Sequence, residues 1–220
     1  MALLSAIGLA LIVLATAPET TTQTTQPSMQ STTGSTSNAQ QVLETLPVKG
    51  RAAKTGYSRD QFGSGWATVN GCDTRNIILN RDLVNVQIDA ECKVTSGTLN
   101  DSYTGKVIEY HTETSSQIQI DHVVALSDAW QKGAQLLTRE QRVQLANDPL
   151  ELIAVDGPAN QEKGDGDAAS WLPSNKGFRC EYIARQIAIK QKYSLWVTTA
   201  EKSAMTDVLT ACPAQTLPAR

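Results

Sequence analysis

The sequence predicts a single-domain α+β protein with little sheet, and three observations support this fold class. Apolar residues make up 40% of the 220 residues and charged residues 19%, a globular composition that excludes a collagen, a coiled coil and a wholly disordered chain. Residues 117–124 alternate between two faces, as a strand does. Capping boxes at 138–141 and 198–201 mark the starts of two helices. Both kinds of element are therefore expected in a body spanning 42–212, which is long enough for one core.

The first half of this body predicts loops followed by two strands. Residues 57–83 are rich in Gly, Asn and Asp and indicate loops with short elements. Residues 106–110 and 117–124 predict strands joined by a polar segment. In the second strand, period-two alternation puts His122 on the face of the apolar residues and Asp121 on the opposite, polar face.

The second half predicts three helices around a short strand. The first helix follows the capping box at Thr138 and ends before Pro149. Residues 152–155 predict a buried strand, and the turn after it leads to Pro158, which suits the first turn of another helix. An amphipathic helix is expected at 178–192, and a last helix from the second capping box to near Cys212.

The N-terminus has the features of an export signal. Residues 3–15 form an apolar run that is shorter than the roughly 20 residues needed to cross a bilayer. The run leads into Ala-Thr-Ala at 15–17, a pattern that signal peptidase cleaves. No basic residue precedes it and Pro18 follows it, so a buried helix or an uncleaved anchor stays an alternative. We predict a signal peptide at 1–17, a secreted or envelope-exposed protein, and no stable membrane insertion once the signal is removed.

Two segments flank the predicted domain. Residues 18–41 are rich in Ser and Thr with Glu19 as the only charge, so they bury too little apolar surface to offset the entropy of ordering. We predict a disordered linker there and a loose C-terminal tail at 213–220. The domain itself is expected to be a monomer.

Four cysteines in an exported chain favour two disulfides over a metal site. The sequence has no Cys-x-x-Cys pair, so a zinc knuckle is not favoured. Three pairings are possible, and we favour the local one, because each bridge then closes a loop within its own half of the chain. This pairing joins Cys72 to Cys92 and Cys180 to Cys212.

Asp121, His122 and Asn160 are the residues that could carry chemistry. The net charge of −3 provides no global basic field, so binding of a nucleic acid must depend on a local site. Asp and Asn offer hard oxygen ligands that suit Mg²⁺ or Mn²⁺, and an imidazole can take a proton from water near neutral pH. Alternation separates Asp121 from His122 unless the strand ends or bulges there. The alternative is a histidine satisfied in the core and an aspartate in a turn.

Several sequence motifs lie in order along most of residues 57–212. They are YSRDQFGSGW, GCDTRNIILNRDL, SYTGKVIEY, DHVVALSDAW, LANDPLELIAVDGPANQEKGD, and WLP with a Cys-x-Tyr helix. Together these motifs resemble the HNH-type nuclease domain of secreted HNH endonuclease family proteins, which is related to the C-terminal domain of GmrSD-type restriction enzymes.

The resemblance implies a ββα-metal core with additional helices, and a metal-dependent nuclease. His122 would be the general base, and Asp121 and Asn160 would bind one divalent cation, Mg²⁺ or Mn²⁺. The implied substrate is DNA more than RNA, cut to a 5′-phosphate and a 3′-hydroxyl. Family members often carry an asparagine where this chain has Glu151, and Asn147 is the candidate to replace it in fastening the loop at the site.

Two basic residues are candidates to bind a substrate phosphate. Lys163 follows Asn160 by one helical turn, and Arg75 matches an arginine of the family motif. The alternatives are a solvated Lys163 and an Arg75 that anchors Asp73 or Asp82. For the whole chain, the alternative functions are a secreted binding module that keeps the nuclease fold without turnover, and a nuclease acting on RNA.

Overall fold

The computed structural model describes residues 2–3 and 37–218. Almost all of the predicted signal peptide at 1–17, and the predicted linker up to residue 36, lie outside the described residues. Residues 37–218 belong to one compact unit, and the description below concerns that unit. Its mixture of helices and strands confirms the α+β class, whereas the ββα-metal core stays a prediction.

The helices of this unit include all those that the capping boxes predicted. Thr138 and Thr198 each accept a hydrogen bond from the third residue of their helix, whose side chain accepts one from the cap in return. The α-helices are α1 (Ala39–Thr45), α2 (Thr74–Asp82), α3 (Leu126–Gln131), α4 (Arg139–Ala146), α5 (Gly157–Lys163), α6 (Arg179–Lys192) and α7 (Thr199–Thr210). Short 3₁₀ turns occupy Arg59–Phe62, Thr112–Gln117, Ala134–Leu136 and Lys176–Phe178.

The strands pair in three small antiparallel sheets. They are β1 (Thr68–Val69), β2 (Cys72–Asp73), β3 (Leu83–Ile88), β4 (Val94–Asn100), β5 (Val107–His111), β6 (Ile118–His122) and β7 (Leu152–Asp156). β1 pairs with β2, β4 lies between β3 and β5, and β6 pairs with β7. The sequence predicted β5, β6 and β7 but missed the other four strands and the helices α1, α2 and α3.

The core is divided among three apolar clusters. The largest surrounds α6, whose Ile183 and Ile187 are completely buried against α1 and α7. A second cluster packs α3 and α4 around Trp130, and a third lies between α2, the three-stranded sheet and the β6–β7 pair. Within the described ranges, no helix is long and apolar enough to cross a membrane.

The described ends of the unit are fastened to each other. The backbone N–H of Leu217 donates to Ser37, and that of Ala39 donates to Gln215, both at 2.9 Å. Leu217 is 8% exposed because its side chain packs into the cluster around α6. The folded part therefore begins before residue 42 and continues past residue 212, and the prediction of a loose tail does not hold for 213–218.

Both predicted disulfides are confirmed. Cys72 in β2 is bonded to Cys92 ahead of β4, with the two Cα atoms 5.4 Å apart. Cys180 at the start of α6 is bonded to Cys212 after α7, with the Cα atoms 6.4 Å apart. Each bridge stays within its own half of the fold, as local pairing requires.

The strand pair β6–β7 and the helix α5 form the unit that carries the predicted site residues. His122 lies opposite Leu152 and Ile118 lies opposite Asp156 in the antiparallel register. Asp156 caps α5 by accepting from the N–H of Ala159. A Cβ on Gly157 would come within 2.6 Å of the Ser116 carbonyl oxygen, so only glycine permits this close approach of α5 to the segment that leads into β6.

A buried ionic cluster joins α3, α6 and α7. The ammonium group of Lys132, with no exposed surface, lies within 2.8 Å of carboxylate oxygens of Asp128, Asp167 and Glu201. Lys190 is equally buried and lies 2.9 Å from Glu201. Each of these buried charges has an opposite charge in contact, which offsets the cost of removing it from water.

Candidate active site

His122 is the last residue of β6, and its ring lies between Trp66 and the end of α4. The two rings are stacked, with centroids 5.8 Å apart and planes 9° from parallel. The ring nitrogen Nε2 lies 3.0 Å from the carbonyl oxygen of Ala146. His122 is only 6% exposed, so this hydrogen bond and the stacking fix its orientation.

The hydrogen bond to Ala146 determines which nitrogen of His122 can act as a base. A carbonyl oxygen only accepts, so Nε2 carries the hydrogen and the neutral ring leaves Nδ1 unprotonated. Within residues 37–218 no group is hydrogen-bonded to Nδ1. Burial lowers the pKa of His122 from 6.5 to about 3, the Ala146 hydrogen bond opposes this effect, and the charges of Arg59 and Lys163 lower the pKa further. The imidazole is therefore neutral at physiological pH.

A small cavity of about 130 Å³ lies beside this ring. Its walls include His122, Trp66, Arg59 and the loop from Gly63 to Gly65. The φ angles of the two glycines are +108° and +152°, which residues with a Cβ rarely adopt. The histidine is thus buried at the wall of a cavity and not sealed in apolar packing.

Asp121 faces the opposite side of β6, as strict alternation requires. Its Oδ2 accepts a hydrogen bond of 2.5 Å from the Tyr103 hydroxyl, and its Oδ1 lies 3.0 Å from the ammonium group of Lys163. Lys163 also donates to the His122 carbonyl at 2.8 Å and is 3% exposed. Burial and the neighbouring Asp121 carboxylate raise the pKa of Tyr103 well above its usual value. Asp121 is therefore an acceptor that two donors already satisfy.

Asn160 lies on α5 against the same face of β6, but it contacts a different side chain. Its Nδ2 donates to the Gln119 Oε1 at 2.8 Å. Residues two apart on β6 thus meet residues three apart on α5, with Gln119 against Asn160 and Asp121 against Lys163. The structure brings Asp121 and Asn160 to one strand–helix interface and His122 to the other face of the strand.

This arrangement does not fit a bound cation. Asp121, the strongest oxygen donor of the implied set, is in contact with a lysine ammonium group, which repels a metal ion. In the part of the chain that the structure describes, no three His, Cys, Asp or Glu side chains are grouped so that they could hold a metal.

The two candidate phosphate-binding residues have structural partners. Lys163 is neither solvated nor open to a ligand, because Asp121 and the His122 carbonyl surround its ammonium group. Arg75 is half-buried and donates to the carbonyls of Ser115 and Ile118, at 3.3 and 3.2 Å. It therefore anchors the segment that enters β6, with partners other than the predicted Asp73 or Asp82.

Glu151 fastens the loop that follows His122. It is completely buried, and its two carboxylate oxygens lie 3.3 and 3.2 Å from the backbone N–H of Val124. Burial raises its pKa well above the usual value, against smaller opposing effects of the Val124 hydrogen bond and of Lys163. Asn147 holds another segment, since its side chain accepts from the N–H of Ala67, next to the stacked Trp66.

Comparisons with known proteins identify a matching family and a similar protein. Residues 73–208 match the family described as GmrSD restriction endonucleases, C-terminal domain. The chain is 43% identical over 181 residues to an uncharacterized secreted protein of Arthroderma benhamiae. The aligned region covers 81% of this chain and 86% of the relative. No solved structure matches the chain.

The relative's description and the two disulfides confirm the extracellular location that the sequence predicted. The matched family spans more than half of the chain and suggests a nuclease-related domain. The chain belongs to the family of the C-terminal domain of GmrSD restriction endonucleases.

Proposed function

We propose that this chain is a secreted HNH-type endonuclease that hydrolyses DNA phosphodiester bonds, with His122 as the general base. One observation carries the proposal: a neutral imidazole, held by the Ala146 carbonyl through Nε2, has its Nδ1 free of described partners beside a cavity. A buried histidine that served only packing would not need a cavity at its ring. Membership of a nuclease-related family makes a phosphodiester the expected substrate.

His122 would act by accepting a proton. As the oxygen of a water molecule forms a bond to phosphorus, Nδ1 takes the proton that the water loses. The bond between phosphorus and the 3′ oxygen then breaks, and this oxygen takes a proton from solvent water, which leaves a 5′-phosphate and a 3′-hydroxyl. A pKa of about 3 makes the free imidazole a weak base. The negative charge of a bound phosphate raises that pKa during the reaction.

The divalent cation, Mg²⁺ or Mn²⁺, is the part of the proposal that the geometry supports least. Asp121 and Asn160 share an interface, but Lys163 holds the Asp121 oxygen that a cation would need. What favours a cation is the family alone, because restriction endonuclease domains usually use one.

Plasmid nicking by matched histidine variants tests the proposal. The chain has two histidines, and His111 is exposed on β5, so His111→Ala is a control for His122→Ala. We expect wild type and His111→Ala to nick the plasmid, and His122→Ala to lose activity about 100-fold or more while its circular dichroism spectrum is unchanged. Equal nicking by both variants would exclude His122 as the base.

A second series of assays separates the remaining candidates. Parallel reactions with Mg²⁺, with Mn²⁺ and with a chelator measure the need for a cation, and single-stranded RNA replaces the plasmid in a further set. The contact between the Lys163 ammonium group and Asp121 favours one alternative, a secreted binding module without turnover. This alternative predicts that the protein cleaves neither DNA nor RNA, whether Mg²⁺ or Mn²⁺ is added.

A further inference from the structure

We propose that the cavity beside His122 is an anion subsite in which the Arg59 guanidinium binds the phosphate group to be cleaved. The inference rests on the proposed function and adds to it the residue that holds the reacting group. Sequence reasoning did not single out Arg59, although it lies in the YSRDQFG motif that contributes to the resemblance.

The first observation is that Arg59 is an arginine without a partner. In residues 37–218 it makes no ion pair and no hydrogen bond through its side chain, and it is exposed at the start of the 3₁₀ turn Arg59–Phe62. Most other arginines are committed to the fold. Arg51 and Arg81 contact carboxylates, and Arg75, Arg142, Arg179 and Arg185 donate to backbone carbonyls.

The second observation is the place of this free guanidinium. Arg59 and His122 line the same cavity, so one group within it can meet both side chains. Lys163 does not contribute to this subsite, because it lies on the opposite face of β6 in contact with Asp121. A chain with a net charge of −3 thus places the positive charge of Arg59 at the base.

The third observation is the size of the cavity and the nature of its walls. A volume of about 130 Å³ has room for one small group. Gly63 and Gly65 contribute backbone without side chains, so a ligand can approach the main chain closely there. The remaining walls, Phe62, Trp66, Leu126 and Ala146, are apolar, so Arg59 and His122 are the side chains in this lining that could contact a phosphate group.

The chemistry of the guanidinium selects the ligand. Its planar fork of N–H donors matches two oxygens of one phosphate, and it is weakly hydrated compared with an ammonium group. A phosphodiester held in this way presents phosphorus next to the water that His122 deprotonates. Arg59 is therefore assigned as the group that binds and orients the scissile phosphate, and we expect lysine to replace it poorly.

Kinetics of plasmid nicking test the role of Arg59 in the reaction. Arg59→Ala and Arg59→Lys are compared with Arg139→Ala, which removes another exposed arginine outside the cavity. We expect kcat/KM to fall about 100-fold for Arg59→Ala. The variant Arg59→Lys should recover less than a tenth of that loss, and Arg139→Ala should stay within about twofold of wild type. If Arg59→Ala cuts like wild type while His122→Ala does not, the subsite is refuted and the proposed function stands.

A binding measurement tests the subsite without any turnover. Inorganic phosphate is titrated into the ¹⁵N-labelled protein, and the side-chain signals of the two histidines are followed by NMR. We expect a saturable shift of the His122 ring signals that Arg59→Ala weakens about tenfold or more, with His111 unchanged. This result in a protein that cleaves nothing would keep the subsite and reject the nuclease. No shift at His122, or the same shift in Arg59→Ala, would overturn the subsite.

Discussion

His122 and Asp121 are neighbours in the chain and have opposite surroundings. No described residue is hydrogen-bonded to Nδ1 of His122, which lies next to a cavity, whereas Asp121 has a donor on each carboxylate oxygen. Alternation along β6 predicts this separation from sequence alone. The sequence could not reveal that Lys163, 42 residues away, is the partner of Asp121, because that contact depends on how α5 packs against β6.

The depressed pKa of His122 predicts a loss of stability in acid. In the unfolded chain His122 titrates near pH 6.5, so between pH 6.5 and about 3 the unfolded chain binds a proton that the folded chain does not. Its contribution to stability is complete above pH 6.5 and is lost as the pH falls towards 3. The unfolding free energy of the wild type should therefore decrease between pH 7 and pH 4. We expect this decrease to be about 3 kcal/mol smaller in His122→Gln, which lacks the titrating ring.

Urea unfolding at several pH values measures this effect. His111→Gln is the matched control, and we expect its curve to follow that of wild type. A His122→Gln curve parallel to wild type over the same range would show that the ring is not held neutral by burial.

Glu151 predicts a dependence on pH of the opposite sign. Burial raises its pKa in the folded state above 4.5, so its contribution to stability is complete below pH 4.5 and is lost as the pH rises through the folded value. Glu151→Gln removes this loss and keeps an oxygen that accepts from Val124. We expect the variant to gain stability relative to wild type as the pH rises from 4.5 to 8, in urea unfolding; a constant difference between the two would contradict this account.

At the scale of elements, the sequence predicted the helices with strong local signals and missed those without them. Capping boxes at Thr138 and Thr198 are local interactions, so the two helices that they begin are confirmed. The helix α2 starts at the cap Asp73 but lacks a capping box. Strand β3 carries alternating apolar residues at Val84, Val86 and Ile88, a signal that could have predicted it, although it is mostly exposed and pairs with β4 through register irregularities.

The contact between β6 and α5 predicts a large cost for losing the Lys163 charge. Lys163→Met leaves the buried Asp121 carboxylate without its counter-ion, which costs about 3–5 kcal/mol. We expect the double variant Lys163→Met with Asp121→Asn to recover most of this loss, because the amide carries no charge. Chemical unfolding of both variants measures the coupling. Equal stabilities of the single and double variants would show that the pair is not an ionic contact in solution.

For the whole molecule, the sequence predicted the fold class and both disulfides but placed the bounds of the domain too narrowly. Leu217 was predicted in a loose tail, since a single apolar residue after Pro213 gives no signal of its burial against α1 and α6. Lys132 and Glu201 likewise have no pattern that predicts a buried ionic cluster, because their contact joins residues 69 positions apart.

The disulfide between Cys180 and Cys212 is predicted to stabilise the whole unit. It closes a sequence separation of 32 residues, for which the loop-entropy model gives about 3–4 kcal/mol. We expect the double variant Cys180→Ala with Cys212→Ala to lose this amount of unfolding free energy. Urea unfolding measures the loss, and a variant as stable as wild type would contradict the prediction.

Chemical rescue of the His122→Ala variant tests most directly whether that imidazole is the base. The initial rate of plasmid nicking is measured with and without added imidazole, beside His111→Ala under the same conditions. We predict that His122→Ala is at least about 100-fold slower than wild type, that imidazole restores part of its rate, and that it leaves His111→Ala unaffected. A folded His122→Ala protein that nicks DNA at the wild-type rate would contradict the account.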